Sequence, residues 1–184
     1  GSAQYPHSRY LLNHLADAAE GIQALLVAES NPCYALPDSQ RVKAAIEKIP
    51  FVVSFSSFMD ETAMNADLIL PNHIYLERYE DVPVTFGNSR PTVGLCRPVV
   101  DPLYHTQHLG DTLIQLAKAM GGSVAESFPW PDYETCLKQS LGAKWNTLMQ
   151  KGVWEDVSAS GGFDTASGRL VLMNQAIAAV YAAD

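Results

Sequence analysis

The feature that most constrains this chain is a repeated alternation of short apolar runs with helix-patterned segments. Residues 22–28 are apolar apart from Gln23, Phe51-Val52-Val53-Ser54-Phe55 is β-branched and aromatic, and Leu68-Ile69-Leu70 closes at Pro71. Runs of this kind suit strands covered on both faces, the habit of parallel sheets. Between the first two, Asp38 stands where an N-cap belongs, Val42, Ala45, Ile46 and Ile49 share one helical face, and Pro50 ends the helix. Between the second and third, Asp60-Glu61-Thr62-Ala63 can start a short helix with acids in its first turn. The pattern predicts an α/β fold built on a parallel sheet.

In such sheets ligands bind beyond the carboxyl ends of the strands. Those ends are residues 29–32, 54–60 and 71–77, so topology alone nominates a site. Around this centre, Leu11, Leu12, Leu15, Ala18 and Ala19 predict a helix stopped at Gly21. From 77 to 105 periodicity is lost, interrupted by Pro83, Gly87, Pro91, Gly94, Pro98 and Pro102. A long irregular excursion of this kind is usually functional or faces a partner. Leu109, Leu113, Leu116, Ala117 and Met120 then predict a helix ending at Gly121-Gly122, and 130–150 a helical region broken near Gly142. Residues 163–169 read as strand–turn–strand, 170–172 as the returning strand, and 174–183 as helical.

The 184 residues carry a formal charge of −8, which argues against nucleic-acid binding, where Lys and Arg must displace counterions. At 47% hydrophobic and 17% charged, the balance is that of a globular chain with one respectable core. No apolar run reaches the ~18 residues a membrane span needs, and no signal-peptide pattern opens the sequence. Gly1-Ser2 reads as the remnant of a cleaved tag. Cys33, Cys96 and Cys136 lie too far apart for a cluster or structural zinc and read as buried small hydrophobes.

The ordered set Asn31-Pro32, Pro37-Asp38, Pro50-Phe51-Val52-Val53, Glu61-Thr62-Ala63, Ala66-Asp67-Leu68-Ile69-Leu70-Pro71 and Glu77 resembles the molybdopterin oxidoreductases of the dimethyl-sulfoxide-reductase type. Gly110-Asp111, Leu116-Ala117-Lys118-Ala119-Met120-Gly121 and Phe163-Asp164-Thr165-Ala166-Ser167-Gly168-Arg169 continue the likeness in the same order, which covers roughly residues 22–172. Asn31-Pro32-Cys33-Tyr34-Ala35-Leu36-Pro37 and His73-Ile74-Tyr75-Leu76-Glu77 look closest to the polysulfide-reductase, quinone-linked branch.

The resemblance implies a three-layer Rossmann-like parallel sheet forming part of a nucleotide-binding domain, with an irregular excursion and additional helices. The expected divisions are a half-domain at 3–76, the excursion at 77–107, and a helical and strand–turn segment at 108–184. It implies molybdopterin guanine dinucleotide as the cofactor of the full-length protein. The iron–sulfur and molybdenum or tungsten ligands are expected elsewhere in that protein. The implied partners are the remainder of the same subunit and the iron–sulfur and quinone-reactive membrane subunits of a complex. The implied location is periplasmic, associated with the membrane through partners rather than by insertion. A segment of this kind is not expected to be catalytic alone.

The residues the resemblance places against the cofactor are Asn31, Pro32, Ser56, Asp60, Glu61 and Thr62. Three positions depart from the family pattern. Glu29 stands where Gly is usual, Ser56 where Asp commonly reads guanine, and Asp60 where Thr is usual. Glu29 and Asp60 would bring negative charge towards a pyrophosphate, unfavourable unless a cation intervenes. Asp60 could instead take over the reading of guanine. Glu61-Thr62 is equally explained as a helix N-terminus, with a dipole-favoured acid and a capping hydroxyl.

Elsewhere, His105 and His108 are three apart, but no cluster completes a metal site, so exposed or capping imidazoles are the simpler reading. His73 follows a strand end and is either a pocket residue or a structural imidazole. Arg90 and Arg97 read as loop arginines, Glu77 as a tie between the excursion and backbone amides, and Trp130, Trp145 and Trp154 as core or interface anchors. Two functions follow from different classes: a contributor to cofactor binding in an oxidoreductase, or a family-derived scaffold that no longer binds the cofactor. A flavodoxin-like nucleotide-binding domain is a weaker third.

Overall fold

The computed structural model describes residues 21–84, 90–158 and Gly168. The described residues fall into two compact units, one of residues 21–80 with 96–141 and one of residues 81–84 and 90–95 with 142–158. The expected helix at 11–19, the strand–turn–strand of 163–172 and the helix at 174–183 lie outside the described residues.

The first unit is the α/β body. Strand β1 (Leu25–Ala28) is followed by the short helix α1 (Pro32–Ala35), helix α2 (Ser39–Ile46) and strand β2 (Val52–Phe55). A 3-10 turn (Ala63–Asn65) leads into β3 (Leu68–Ile69). The sheet order is β1-β2-β3 and both pairings are parallel, with Leu25 opposite Val52, Ala28 opposite Phe55 and Ser54 opposite Ile69. The parallel α/β body predicted from the alternation of runs is therefore present.

Packing explains why these segments hold. Val42 and Ile46, one turn apart on α2, are 0% and 1% exposed and close over Val52, Ile49 and Cys33. Asp38 caps α2 as its side chain accepts from the Arg41 N–H at 3.3 Å. Asp67 fixes the start of β2, its carboxylate accepting from the Val52 N–H at 2.7 Å while its own N–H donates to the Val52 carbonyl at 2.9 Å. Helices α3 (Leu109–Met120), α4 (Gly122–Glu126) and α5 (Tyr133–Leu141) complete this unit. Helix α3 stops at Gly121, whose φ of 75 permits the chain reversal.

The second unit carries a separate sheet of order β4-β5-β6, formed by β4 (Glu80–Val84), β5 (Thr92–Cys96) and β6 (Val153–Glu155), with β5 and β6 antiparallel. The excursion is thus not irregular throughout, because two strands run through it. Pro83 misled because an edge strand tolerates a residue without an N–H, and β4 is at the edge of this sheet. A 3-10 turn (Gly142–Lys144) and helix α6 (Trp145–Lys151) precede β6, which realises the break expected near Gly142. Trp145 and Leu148 are buried in this unit, and the Lys144 ammonium lies 4.7 Å from the Trp154 ring centroid. Arg90 pairs with Glu155 at 3.7 Å.

Candidate cofactor edge and its internal hydrogen bonds

The chain leaves β1 at Glu29, whose φ of 46 lies in the left-handed region that glycine favours. That geometry accounts for the glycine usual in the resembling family, and Glu29 carries backbone strain that its side-chain contacts offset. The Glu29 carboxylate forms a two-pronged pair with Arg78, with Nη1 donating to Oε1 and Nη2 to Oε2 at 2.9 Å. Asn72 Nδ2 also donates to Glu29 Oε1, at 2.7 Å. These contacts, with the Arg78 hydrogen bond foremost, hold the Glu29 carboxyl below the usual carboxylate range. The cation that this acid requires is supplied from within the chain.

Arg78 is 8% exposed and anchored on its other flank as well. Its Nε and Nη2 donate to Glu80 at 3.1 and 2.8 Å, and Nη1 to the His73 carbonyl at 2.8 Å. Asn72, 2% exposed, is the joint of the edge. Its amide group reaches Glu29 after β1, its carbonyl oxygen accepts from the Ser57 hydroxyl after β2 at 2.7 Å, and its Oδ1 accepts from the Leu109 N–H of α3 at 2.8 Å.

The six residues expected against a cofactor do gather at this edge, yet their polar atoms are largely spent on one another. Asn31 donates to Glu61 at 2.6 Å and accepts from the Thr62 hydroxyl at 2.7 Å, while Thr62 Oγ1 accepts from the Cys33 N–H at 3.1 Å, just after Pro32 opens α1. The Asn31 hydrogen bond holds the Glu61 carboxyl below its ordinary value. Asp60 accepts from the Ala63 N–H at 2.7 Å and lies 3.1 Å from the Ser56 hydroxyl, so its carboxylate caps the 3-10 turn. The single Ser56 hydroxyl hydrogen is shared between Asp60 and the Phe58 carbonyl at 2.8 Å. Thr62 is a buried clamp between the first two loops, its hydroxyl meeting the first turn of α1 and not capping its own 3-10 turn.

An open recess of about 240 Å³ lies here, lined by Glu29, Ser30, Asn31, Ser56, Ser57, Phe58 and Asp60. Two carboxylates and no Lys or Arg line it. Among the described residues lining the recess, a pyrophosphate would meet negative charge with no free cation, so these residues do not fit the phosphate end of a dinucleotide.

Beside it, His108 caps α3, its Nδ1 accepting from the Gly110 N–H at 2.9 Å, and its ring stacks on Tyr133 with centroids 4.3 Å apart. Burial is the main cause that pushes the His108 imidazole below its ordinary value. Glu77 accepts from the Ile74 and Leu103 amides, each at 3.1 Å, and so ties the excursion down as expected. His73 is structural in its contacts, its Nδ1 lying 2.6 Å from the Thr106 hydroxyl. His105 is exposed. Among the described residues no group of three or more His, Cys, Asp or Glu could hold a metal ion, and no helix is long and apolar enough to cross a membrane. Cys33 is buried, while Cys96 and Cys136 are partly exposed thiols.

Asn72 and Arg78 were not picked out from sequence. The usable signal is the charge of Glu29, which demands a nearby cation without saying which.

The molybdopterin oxidoreductase family model matches residues 4–119, well over half of the chain. The chain belongs to the molybdopterin oxidoreductase family. Membership implies a molybdopterin cofactor for proteins of this kind. Over 125 residues it is 40% identical to the menaquinone reductase, molybdopterin-binding-like subunit of Nitratidesulfovibrio vulgaris, a match covering 68% of this chain and 18% of that protein. It is 28% identical to the thiosulfate reductase molybdopterin-containing subunit of Salmonella typhimurium over 137 residues, 73% of this chain and 18% of that one. The chain thus spans under a fifth of these relatives' length. The acetylene hydratase of Pelobacter acetylenicus shares the fold, with a TM-score of 0.69 at 23% identity over 88% of this chain and 23% of the other.

Proposed function

We propose that this chain is the nucleotide-domain segment of a subunit in a quinone-linked electron-transfer complex, and that it serves there as a scaffold without seating the pterin dinucleotide. The observation that carries the reading is the Glu29–Arg78 pair, which commits the edge's buried cation to the chain's own carboxylate. The likeness to a menaquinone reductase subunit described as molybdopterin-binding-like supports both halves of it. On this reading the segment packs with the remainder of its own subunit and works beside iron–sulfur and quinone-reactive membrane subunits, on the periplasmic side. Residues 3–76 form the half-domain proper, 77–107 the excursion, and 108–184 the closing segment.

A second reading is favoured by the gathering of Asn31, Pro32, Ser56, Asp60, Glu61 and Thr62 at one carboxyl edge. In that reading the edge contributes to binding molybdopterin guanine dinucleotide, and the subunit is an oxidoreductase. Pterin extraction and molybdenum and tungsten analysis of the full-length subunit, purified with its complex, separate the two. Less than one-tenth equivalent of pterin is expected for a scaffold. One equivalent of pterin overturns it.

A further inference from the structure

The donors that meet Glu29 are arranged as a ligand site would be. Two nitrogens of one guanidinium and one amide nitrogen converge on a single carboxylate. Planar two-pronged recognition by Arg serves carboxylate and phosphate alike. Neither donor residue depends on Glu29 for its position. Arg78 is also held by Glu80 and by the His73 carbonyl, and Asn72 by the Leu109 N–H and the Ser57 hydroxyl. Both are more than nine-tenths buried, whereas the Glu29 side chain is 41% exposed. The carboxylate therefore arrives from the solvent side of a preorganised pocket of donors.

We infer that Arg78 and Asn72 form an oxyanion cradle which Glu29 fills from within the chain, and that a free phosphate or carboxylate takes its place when the Glu29 side chain is removed. This rests on the closed-edge reading proposed above and names the group that does the closing. Glycine at position 29 suits the φ of 46, so the variant that empties the cradle also relieves backbone strain. Glu80 leaves the emptied site near neutrality instead of positive, so the directed hydrogen bonds of the fork, and not net charge, carry the binding.

The test compares the full chain with its Glu29→Gly and Glu29→Gln variants in binding inorganic pyrophosphate by calorimetry, and in thermal stability with phosphate against chloride at matched ionic strength. Glu29→Gly is expected to bind pyrophosphate at least about tenfold tighter than the unaltered chain, the worth of one or two charge-assisted hydrogen bonds. Phosphate should raise its melting temperature, or restore folding if the variant is unfolded without it. Glu29→Gln keeps the cradle filled with a neutral amide and should respond to neither anion. Adding Arg78→Lys to Glu29→Gly should abolish the gain, because an ammonium lacks the fork. Equal responses from all chains, or a Glu29→Gly chain that phosphate neither binds nor rescues, overturn the cradle. Tight pyrophosphate binding by the unaltered chain would instead overturn the closed-edge reading itself.

Discussion

Arg78 Nη2 donates to Glu29 Oε2 at 2.9 Å, joining residues 49 positions apart where β1 ends and the third strand's loop turns away. Breaking this link leaves two carboxylates, Glu29 and Glu80, without their shared cation. Arg78→Gln is expected to destabilise the unit by about 2 kcal/mol, less than the ~3–5 kcal/mol of a wholly buried pair because both acids remain in contact with solvent. Urea denaturation followed by circular dichroism measures it. A loss within error of zero would mean that the pair is only a surface contact.

The same pair sets an acid limit. The Arg78 hydrogen bond lowers the Glu29 pKa in the folded chain from an ordinary value of 4.5. A folded-state pKa that is depressed gives stability fully present above the unfolded value and lost as pH falls through the folded one. Stability should therefore decline as pH drops below 4.5, and Glu29→Gln should flatten that decline. Melting temperatures of both chains across this range decide the matter, parallel curves being the outcome that counts against it.

His108 predicts a second, higher limit. Its folded pKa lies below 6.5 chiefly through burial, and only the unprotonated Nδ1 can accept the Gly110 N–H. The depressed value again means that its contribution is whole above 6.5 and lost as pH falls below it. His108→Asn keeps a capping acceptor and removes the titration, whereas His108→Ala should cost about 1 kcal/mol at neutral pH. A histidine-selective NMR titration reads the pKa directly, and a value at or above 6.5 would contradict the assignment.

Gly110 has no room for a side chain, since a Cβ built there would lie 2.3 Å from the Tyr133 ring. Asp111 beside it accepts from the Tyr133 N–H at 2.6 Å, so the Gly-Asp pair seats the start of α5 against α3. Gly110→Ala should destabilise by about 1–3 kcal/mol through overpacking. Adding Tyr133→Ala removes the ring atoms but leaves a Cβ 2.9 Å from the one at 110, so it should recover part of the loss, and a double-mutant cycle showing simple additivity would refute the clash.

The fold was legible where the cause was local. The spacing of Val42, Ala45 and Ile46, the cap at Asp38 and the stop at Gly121 all act within a turn or two and stand where the pattern put them, whereas the helix expected to run to Pro50 ends at Ile46 and leaves Ile49 to pack from the turn that follows. Strands β4 and β5 were hidden because Pro83 and Gly94 break the usual strand signal, while edge position and pairing with distant β6 make those residues tolerable. The edge itself was found from topology, and the charge problem at Glu29 was visible. Its solution was not, because the choice of Arg78 over any other cation depends on where the third loop returns in space. Likewise, no local rule could tell that Asn31, Glu61 and Thr62 would satisfy one another.

The position of Asn72 has a consequence for how this corner moves. Freeing the segment after β1, the one after β2 or the start of α3 takes a hydrogen-bonding partner away from a residue that water barely reaches, at a cost of about 1–3 kcal/mol. None of the three can fray alone without that penalty, so they share a single opening event. Hydrogen exchange should find the Leu109 amide as slow as those of the parallel sheet. The corner then breathes in step with the body it belongs to, and not at the pace of a surface loop.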